Sequence, residues 1–187
     1  MTIRAMAAAN GMANSNVASA TYTIRVATPT FSLPGGTYVG PQSVTLSDTT
    51  SGATIYYTTD GSTPTTASTA YTGSISVTRT TTIRAMAAAS GMADSSVASA
   101  TYTLQAATPT FSPPGGTYVL PQFVSISDAS PGVTIYYTTD GSTPTTSSAQ
   151  YGGPILVLVT TTIKAMAVAP GWSQSPVASA TYTNVLF

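Results

Sequence analysis

Side chains that could carry chemistry are scarce in this chain of 187 residues. It has five basic and five acidic side chains, every acidic one is Asp, and there is no His or Cys. General acid–base catalysis usually uses His or two carboxylates with separated pKa values, and a Ser or Thr nucleophile needs an adjacent base, for which Lys164 is the candidate. We therefore predict no enzymatic activity, no catalytic residue and no cofactor.

The Asp residues recur in step along the chain, which favours a structural role. Asp60 and Asp140 stand in two copies of the string TTDGSTPTT, and Asp48 and Asp128 each follow an apolar stretch into a loop of small residues. Calcium takes about 6 to 8 oxygen ligands, whereas each of these segments offers one carboxylate beside a few hydroxyls. We expect Asx turns at these positions and no metal site.

The chain repeats itself with a fixed period. Ile3, Ile83 and Ile163 open the strings IRAMAAA, IRAMAAA and IKAMAVA at intervals of eighty residues. This period is too long for a solenoid repeat and suits one small domain. The sequence thus predicts a partial repeat, equivalent to the last third of a unit, followed by two whole repeats. Their bounds are 1–26, 27–105 and 106–187, the last with a short C-terminal tail.

Short apolar runs separated by Gly, Pro, Asp and Ser predict β-strands throughout each whole repeat. Pro34-Gly35-Gly36 and Asp60–Pro64 predict turns. The Ala-rich run after Thr80 is predicted as a strand because Thr80 to Ile83 are β-branched and Ile83, Ala85 and Ala87 share one face at period two. The predicted strands are Thr28–Ser32, Ser43–Ser47, Thr54–Thr59, Ser74–Thr78, Thr81–Ala89 and Val97–Thr103, with a short one near Tyr71.

About seven strands in each repeat predict a sandwich of two sheets. Its core should come from the apolar positions on the inward faces of the strands, and from their equivalents eighty residues on. For the first whole repeat the predicted core is Phe31, Val44, Leu46, Ile55, Tyr57, Ile75, Val77, Ile83 and Ala85.

One string carries a resemblance to a known family. TIYYTTDGSTPTT at Thr54–Thr66 and Thr134–Thr146, then Tyr71 or Tyr151, then TIRAMA or TIKAMA, resembles the immunoglobulin-like domain at the C-terminus of bacterial chitobiases and β-hexosaminidases. That family also occurs as tandem repeats in bacterial surface and secreted proteins. The resemblance implies an all-β fold of tandem immunoglobulin-like, fibronectin III-like sandwiches. It also implies a spacer, accessory or adhesive module without catalytic residues, at the cell surface or outside the cell.

Composition narrows the range of partners. Only 5% of the residues are charged, the net charge is zero and 42% are hydrophobic. This combination predicts a folded chain, because disorder goes with low hydrophobicity and high charge. Nucleic acid is not an expected partner, since its binding depends largely on basic residues. The longest apolar run, Ile155–Val159, is too short for a membrane helix of about 20 residues, so no membrane span is expected.

The second whole repeat is more apolar than the first at equivalent positions. Ser43 is replaced by Phe123, Ser76 by Leu156, and Arg79 by Val159. Ile155–Val159 is apolar on both faces, which is typical of a strand covered on both sides. Because exposed apolar patches usually mark interfaces, we predict an interface here, joined by the partial repeat and the tail. The predicted residues are Leu120, Phe123, Leu156, Leu158, Val159, Val168, Ile3, Ala5, Tyr22, Val185, Leu186 and Phe187.

These observations favour a structural protein. It would act as a stalk or assemble end to end, with itself or with neighbouring repeats as partner, through strand addition or edge docking. A second interpretation of the partial repeat, a longer array cut at an arbitrary point, stays open. The alternative function is a carbohydrate-binding or wall-anchoring accessory module with a polysaccharide as partner. Trp172 is its candidate sugar contact, although Met12 and Met92 occupy the same position and loop packing also explains an aromatic there.

Overall fold

The protein is built from β-strands. A computed structural model describes residues 1–119 and 121–185, and all regular structure within them is β-strand. Accordingly, the described part contains no helix with the length and apolar character needed to cross a membrane. Contacts divide the chain into two compact units. The first unit comprises 1–32, 45–73 and 83–99, and the second comprises 33–44, 74–82 and 100–187.

The partial repeat forms one hairpin. Strands β1, Thr2–Ala5, and β2, Ala18–Thr21, pair in antiparallel fashion, with Ile3 opposite Ala20. The predicted last hairpin is therefore present, although it is shorter than the repeat pattern suggested. Every residue from Met1 to Arg25 is exposed, and burial begins at Val26.

The first whole repeat contains strands in two sets. The larger sheet has the order β4-β11-β10-β7-β8, and the smaller set consists of the pairs β3–β6 and β5–β9. The strands are β3 Thr30–Phe31, β4 Gly36–Val39, β5 Gln42–Val44, β6 Leu46–Ser47, β7 Thr54–Thr58, β8 Thr69–Ala70, β9 Ile75–Val77, β10 Thr81–Ala88 and β11 Ala98–Gln105.

The second whole repeat has the same plan with two complete sheets. One has the order β13-β19-β18-β15-β16 and the other β12-β14-β17. The strands are β12 Thr110–Ser112, β13 Gly116–Tyr118, β14 Gln122–Ser127, β15 Thr134–Thr138, β16 Ala149–Gln150, β17 Ile155–Val157, β18 Thr161–Val168 and β19 Ala178–Asn184. The predicted all-β sandwich is confirmed.

The core of the second repeat lies between its two sheets. One buried cluster joins Val124, Ile126 and Val157 of the smaller sheet to Ile163, Ala165, Ala180 and Tyr182 of the larger one. Period-two alternation produces it, because successive strand residues point to opposite faces. Most of the predicted core of the first repeat is likewise buried, although Phe31 and Tyr57 are only half-buried. Tyr102 and Leu104, omitted from the predicted core, are fully buried.

One strand of each repeat was missed. Pro34-Gly35-Gly36 predicted only a turn, but Gly36 begins β4, which runs parallel to β11 with Gly36 opposite Tyr102. In the second repeat β13 pairs in parallel with β19 in the same way. A Cβ atom on Gly115 would lie 3.0 Å from the backbone nitrogen of Thr181. The Pro-Gly-Gly segment is therefore both a turn and the close approach that admits the parallel strand.

A Tyr on the last strand ties the parallel strand into place. The hydroxyl of Tyr182, which is fully buried, donates to the Pro113 carbonyl oxygen at 2.7 Å, and Tyr102 donates to Leu33 at the same distance. Burial raises the pKa of Tyr182 from 10.0 to about 12, and nearby Tyr118 adds to the shift. Burial raises the pKa of Tyr102 as well. Both phenols therefore favour the folded state only while they are protonated.

Alkaline pH should destabilise the repeats in a defined window. Because the folded-state pKa of Tyr182 is raised, its contribution to stability is complete below pH 10 and is lost as pH rises to about 12. Tyr182→Phe should cost about 1 kcal/mol at pH 8 by removing the hydrogen bond to Pro113. The substitution should also make the free energy of unfolding less dependent on pH. The dependence that remains should come from Tyr102. Urea unfolding at pH 8 and 11 measures both, with Tyr22→Phe, at an exposed position, as the control.

Position 115 should require glycine because a larger side chain has no room beside the backbone of Thr181. Gly115→Ala should lower the free energy of unfolding by about 1 to 3 kcal/mol, because the new methyl group meets the rigid backbone of Thr181. Gly152→Ala is the matched control: nothing lies within 4 Å of the place its new methyl group would take, and its φ is ordinary. It should be neutral or stabilise by about 0.5 kcal/mol. Equal unfolding midpoints for the two variants would refute the close-approach explanation.

Candidate functional site: the joint between successive repeats

The last strand of a repeat continues into a backbone contact with the next repeat, and we call this contact the joint. Its first copy lies inside the first compact unit. The N–H of Ala93 donates to the Ile24 carbonyl oxygen at 2.9 Å, and the N–H of Val26 donates to the Ala93 carbonyl oxygen at 3.0 Å. Arg25 and Ala93 thus form a parallel β-bridge. Within residues 1–119 and 121–185, no side-chain hydrogen bond is made by the short segment Ile24–Val26.

The second copy of the joint lies inside the second compact unit and has the same pattern. The N–H of Ser173 donates to the Leu104 carbonyl oxygen at 2.7 Å, and that of Ala106 donates to the Ser173 carbonyl oxygen at 3.1 Å. Gln105 and Ser173 form the parallel bridge. Each participating residue lies eighty positions after its counterpart in the first copy, so the joint recurs with the sequence repeat.

The second joint has further contacts. The Trp172 indole N–H donates to the Thr78 carbonyl oxygen at 2.8 Å, and the N–H of Thr80 donates to the Gly171 carbonyl oxygen at 3.0 Å. The Gln105 side-chain amide donates to the Gln174 carbonyl oxygen at 3.2 Å. Because Trp172 is the single Trp of the chain, its fluorescence can report on this joint alone.

Gly171 has a conformational and a steric reason to be glycine. Its φ is +77°, a left-handed conformation that favours glycine, and a Cβ there would lie 3.2 Å from Cβ of Arg79. Gly91 is its equivalent in the first joint, with φ +76° but open space around the Cβ position. The two glycines therefore separate backbone strain from close approach at the joint.

Asp48 and Asp128 anchor the linker that leaves each joint. The Asp48 carboxylate accepts the N–H of Thr50 at 2.6 Å, and the Thr50 hydroxyl accepts the N–H of Ala27 at 2.8 Å. Asp128 and Ser130 hold Ala107 in the same manner. The second carboxylate oxygen of each Asp is buried and has no hydrogen-bond partner in the described part of the chain. These acids thus position backbone.

Asp60 and Asp140 close the turns predicted for them. The Asp60 carboxylate accepts the N–H of Ser62 at 2.9 Å and its hydroxyl at 2.6 Å, and the hydroxyl bond followed by the backbone bond holds the Asp60 pKa below its usual value. The same bonds from Ser142 lower the pKa of Asp140, where Lys164 adds a smaller effect. Among residues 1–119 and 121–185, no three potential metal ligands cluster together.

The predicted interface residues remain a prediction, and the structure shows where the described ones lie. Phe123 and Leu156 stand directly opposite each other on β14 and β17, 64% and 48% exposed, where the first repeat pairs Ser43 with Ser76. Leu158, Val159, Ile3, Ala5 and Tyr22 are exposed, whereas Val168 and Val185 are half-buried. Leu120, Leu186 and Phe187 lie outside the described residues.

Two predicted contact regions can be described further. Leu156 and Leu158 of Ile155–Val159 are exposed in the single chain, and cover of this strand by a partner stays a prediction. Trp172, the candidate sugar contact, is half-buried and uses its N–H within the joint. Sugar contact by Trp172 stays a prediction. Sequence reasoning missed the joint itself, because its hydrogen bonds are between backbone groups.

These features define a class of protein: all-β modules, built from two sheets and arranged in tandem. More specifically, the chain belongs to the chitobiase/β-hexosaminidase C-terminal domain family, whose sequence profile matches residues 33–99 and 113–182. The two matched segments fall in the two whole repeats. Among curated proteins, no sequence matches this chain.

The solved structures that this chain matches share little of its sequence. Fibronectin(III)-like modules of Clostridium thermocellum CbhA are 15% identical, covering 83% of this chain and 94% of that one, with a TM-score of 0.29. The titin domains z1z2, solved in complex with telethonin, are 16% identical, with coverages of 89% and 98% and a TM-score of 0.33. The four N-terminal Ig domains of Dscam1 isoform 8.4 are 10% identical, with coverages of 99% and 47% and a TM-score of 0.35. The chain therefore spans about half of the Dscam1 structure.

A methyl group at 171 should loosen the second joint more than the same change at 91. Gly91→Ala should cost about 1 kcal/mol because of its positive φ. Gly171→Ala carries the same strain and also meets Arg79, so it should cost more and shift the Trp172 emission to longer wavelength as the indole gains water. Thermal unfolding and Trp fluorescence of the two variants give the comparison. Identical losses, with unchanged emission in Gly171→Ala, would contradict the close approach.

Proposed function

We propose that the chain is a structural segment of an extracellular repeat protein, in which immunoglobulin-like modules follow one another through the joint and form a stalk. The carrying observation is the recurrence of the same backbone hydrogen bonds at Ala93 and Ser173. A chance contact would not recur at positions set by the sequence period. Membership of a family of C-terminal domains supports the proposal that this chain is one part of a larger protein.

A non-catalytic role fits the chemistry of the acids. General acid–base catalysis needs a proton carrier that can reach a substrate, and this chain has neither His nor Glu. The four Asp side chains at 48, 60, 128 and 140 each accept backbone N–H groups of their own turns. These hydrogen bonds fix the conformation of the loops. This structural use of the carboxylates supports a module without an active site.

A location outside the cell fits the composition. With five Lys and Arg residues in 187, the chain offers few cleavage positions to trypsin-like proteases. Low net charge also limits repulsion between neighbouring modules.

Hydrogen exchange followed by NMR tests whether the joint connects successive repeats. The amides of Val26, Ala93, Ala106 and Ser173 should exchange at least tenfold more slowly than that of Ala13, the equivalent of Ala93 and Ser173 in the partial repeat. The measurement is made on dilute monomer. Equal exchange at all five amides would mean that the repeats are merely tethered, and the proposed construction would be abandoned.

Ser173→Pro provides the matching perturbation. It removes the N–H that donates to Leu104, so exchange at Ala106 should become faster and Trp172 emission should shift to longer wavelength. Ser173→Ala keeps the N–H and should leave both observables unchanged. An Ala variant that loosens the joint as much as the Pro variant would assign its strength to the Ser hydroxyl and contradict a backbone joint.

A further inference from the structure

The partial repeat presents a third copy of the joint loop. Met12 N–H donates to Ala9 and Ser15 N–H to Ala7, at 3.1 and 2.9 Å. The equivalent bonds shape the loops that carry Ala93 and Ser173, at 2.9 to 3.3 Å. Gly11 has φ +80°, close to the +76° and +77° of Gly91 and Gly171. The loop at Gly11–Ala13 thus already has the conformation that receives a strand in the other two copies.

Within the part of the chain that the structure describes, no strand is bound to this third loop. No residue of 1–119 or 121–185 makes a hydrogen bond with the backbone of Ala13, whereas both backbone groups of Ala93 and Ser173 are bonded. The neighbouring Met12 is 74% exposed, compared with 37% for its equivalent Met92 in the first joint. The unfilled loop therefore leaves an N–H, a carbonyl oxygen and an apolar side chain to solvent.

The complementary half of the joint lies at the end of β19. Pairing with β18 ends at Tyr182 opposite Thr161, so β19 extends beyond that neighbour. On its other side, Val185 N–H donates to the Tyr118 carbonyl oxygen at 3.1 Å. In a parallel ladder the bonding residues alternate along the strand, so the backbone groups of residue 184 point away from β13. Leu104, its equivalent, offers its carbonyl oxygen to Ser173 in this way.

We propose that these two half-joints bind each other between two copies of this chain: the Ala13 N–H of one copy donates to the Asn184 carbonyl oxygen of another, and Val185 lies alongside Ala13. This inference rests on the proposed function, because it reuses the same joint. The residues next to the contact, Asn14 and Val185, are neutral, so neither side chain carries a charge that would have to be desolvated.

Such binding adds copies in one direction. The two surfaces differ, so the contact is head to tail, and it yields a filament or a ring rather than a symmetric dimer. Backbone hydrogen bonds would supply most of the affinity, as in other strand-addition contacts. The contact differs from the predicted apolar interface, since it needs neither Phe123 nor Leu156.

Two one-sided variants test the proposal. Ala13→Pro removes the donor and keeps the β19 end, whereas a chain stopped after Thr183 removes the acceptor and keeps the loop. Each alone should stay monomeric at about 1 mM, a concentration that detects a millimolar dissociation constant. Their equimolar mixture should form a 1:1 complex, because one functional joint remains. The readouts are sedimentation and the ¹⁵N amide shifts of residues 11–13 in the labelled, truncated chain.

Two control variants distinguish binding through the backbone of Ala13 from docking through the exposed apolar residues. Ala13→Ser introduces the residue found at 173, retains the N–H and should assemble like the unaltered chain. Phe123→Ser with Leu156→Ser restores the residues of the first repeat and should also leave assembly intact. Assembly that survives Ala13→Pro but is lost in the double variant would overturn the proposal in favour of edge docking.

Failure of this proposal is distinguishable from failure of the proposed function. If the mixture shows no shift at residues 11–13, while the Ala93 and Ser173 amides are protected in the same samples, the joint operates only within one chain and the two-copy proposal is wrong. If those two amides are also unprotected, the proposed stalk construction is wrong as well.

Discussion

The last strand of the first whole repeat, β11, satisfies three sets of hydrogen bonds at once. β11 and β19 both lie between an antiparallel neighbour and the short parallel strand, and β11 continues past its antiparallel neighbour into the joint. Tyr102 and Tyr182, buried on these strands, bond back to the Pro-Gly-Gly turn that introduces the parallel strand. Core, sheet edge and joint therefore depend on one register, and a slip by one residue would reverse every side chain on the strand.

The same sequence has different environments in the three repeats. The string ASATYT occurs at 18–23, 98–103 and 178–183, yet its Tyr is fully buried in the two whole repeats and 53% exposed at Tyr22. The difference arises because burial comes from the opposing sheet, and the partial repeat consists of one hairpin. The local sequence pattern is enough to form the strand. Burial of its Tyr requires a second sheet, which the hairpin of the partial repeat does not have.

Much of the fold could be predicted from the sequence, because alternation and turn residues are local signals. The Ala-rich strand β10 was predicted from its β-branched start, and the Asp60 turn from its Asx pattern. β4 could not be found in this way, since its parallel partner follows more than sixty residues later and a Gly-rich entry predicts a turn. The joint was missed for a related reason. Its hydrogen bonds are between backbone groups, so the side-chain types at Ala93 and Ser173 do not predict them.

A joint that relies on backbone groups places little restriction on the residues that form it. Ile24, Arg25 and Val26 meet Ala93 just as Leu104, Gln105 and Ala106 meet Ser173, although none of these side chains is shared. A gene built from such units can therefore gain or lose whole segments of eighty codons while the backbone bonds of the joint are kept. Substitutions that alter the exposed faces, as between Ser43 and Phe123, can accumulate in single copies without interrupting the succession.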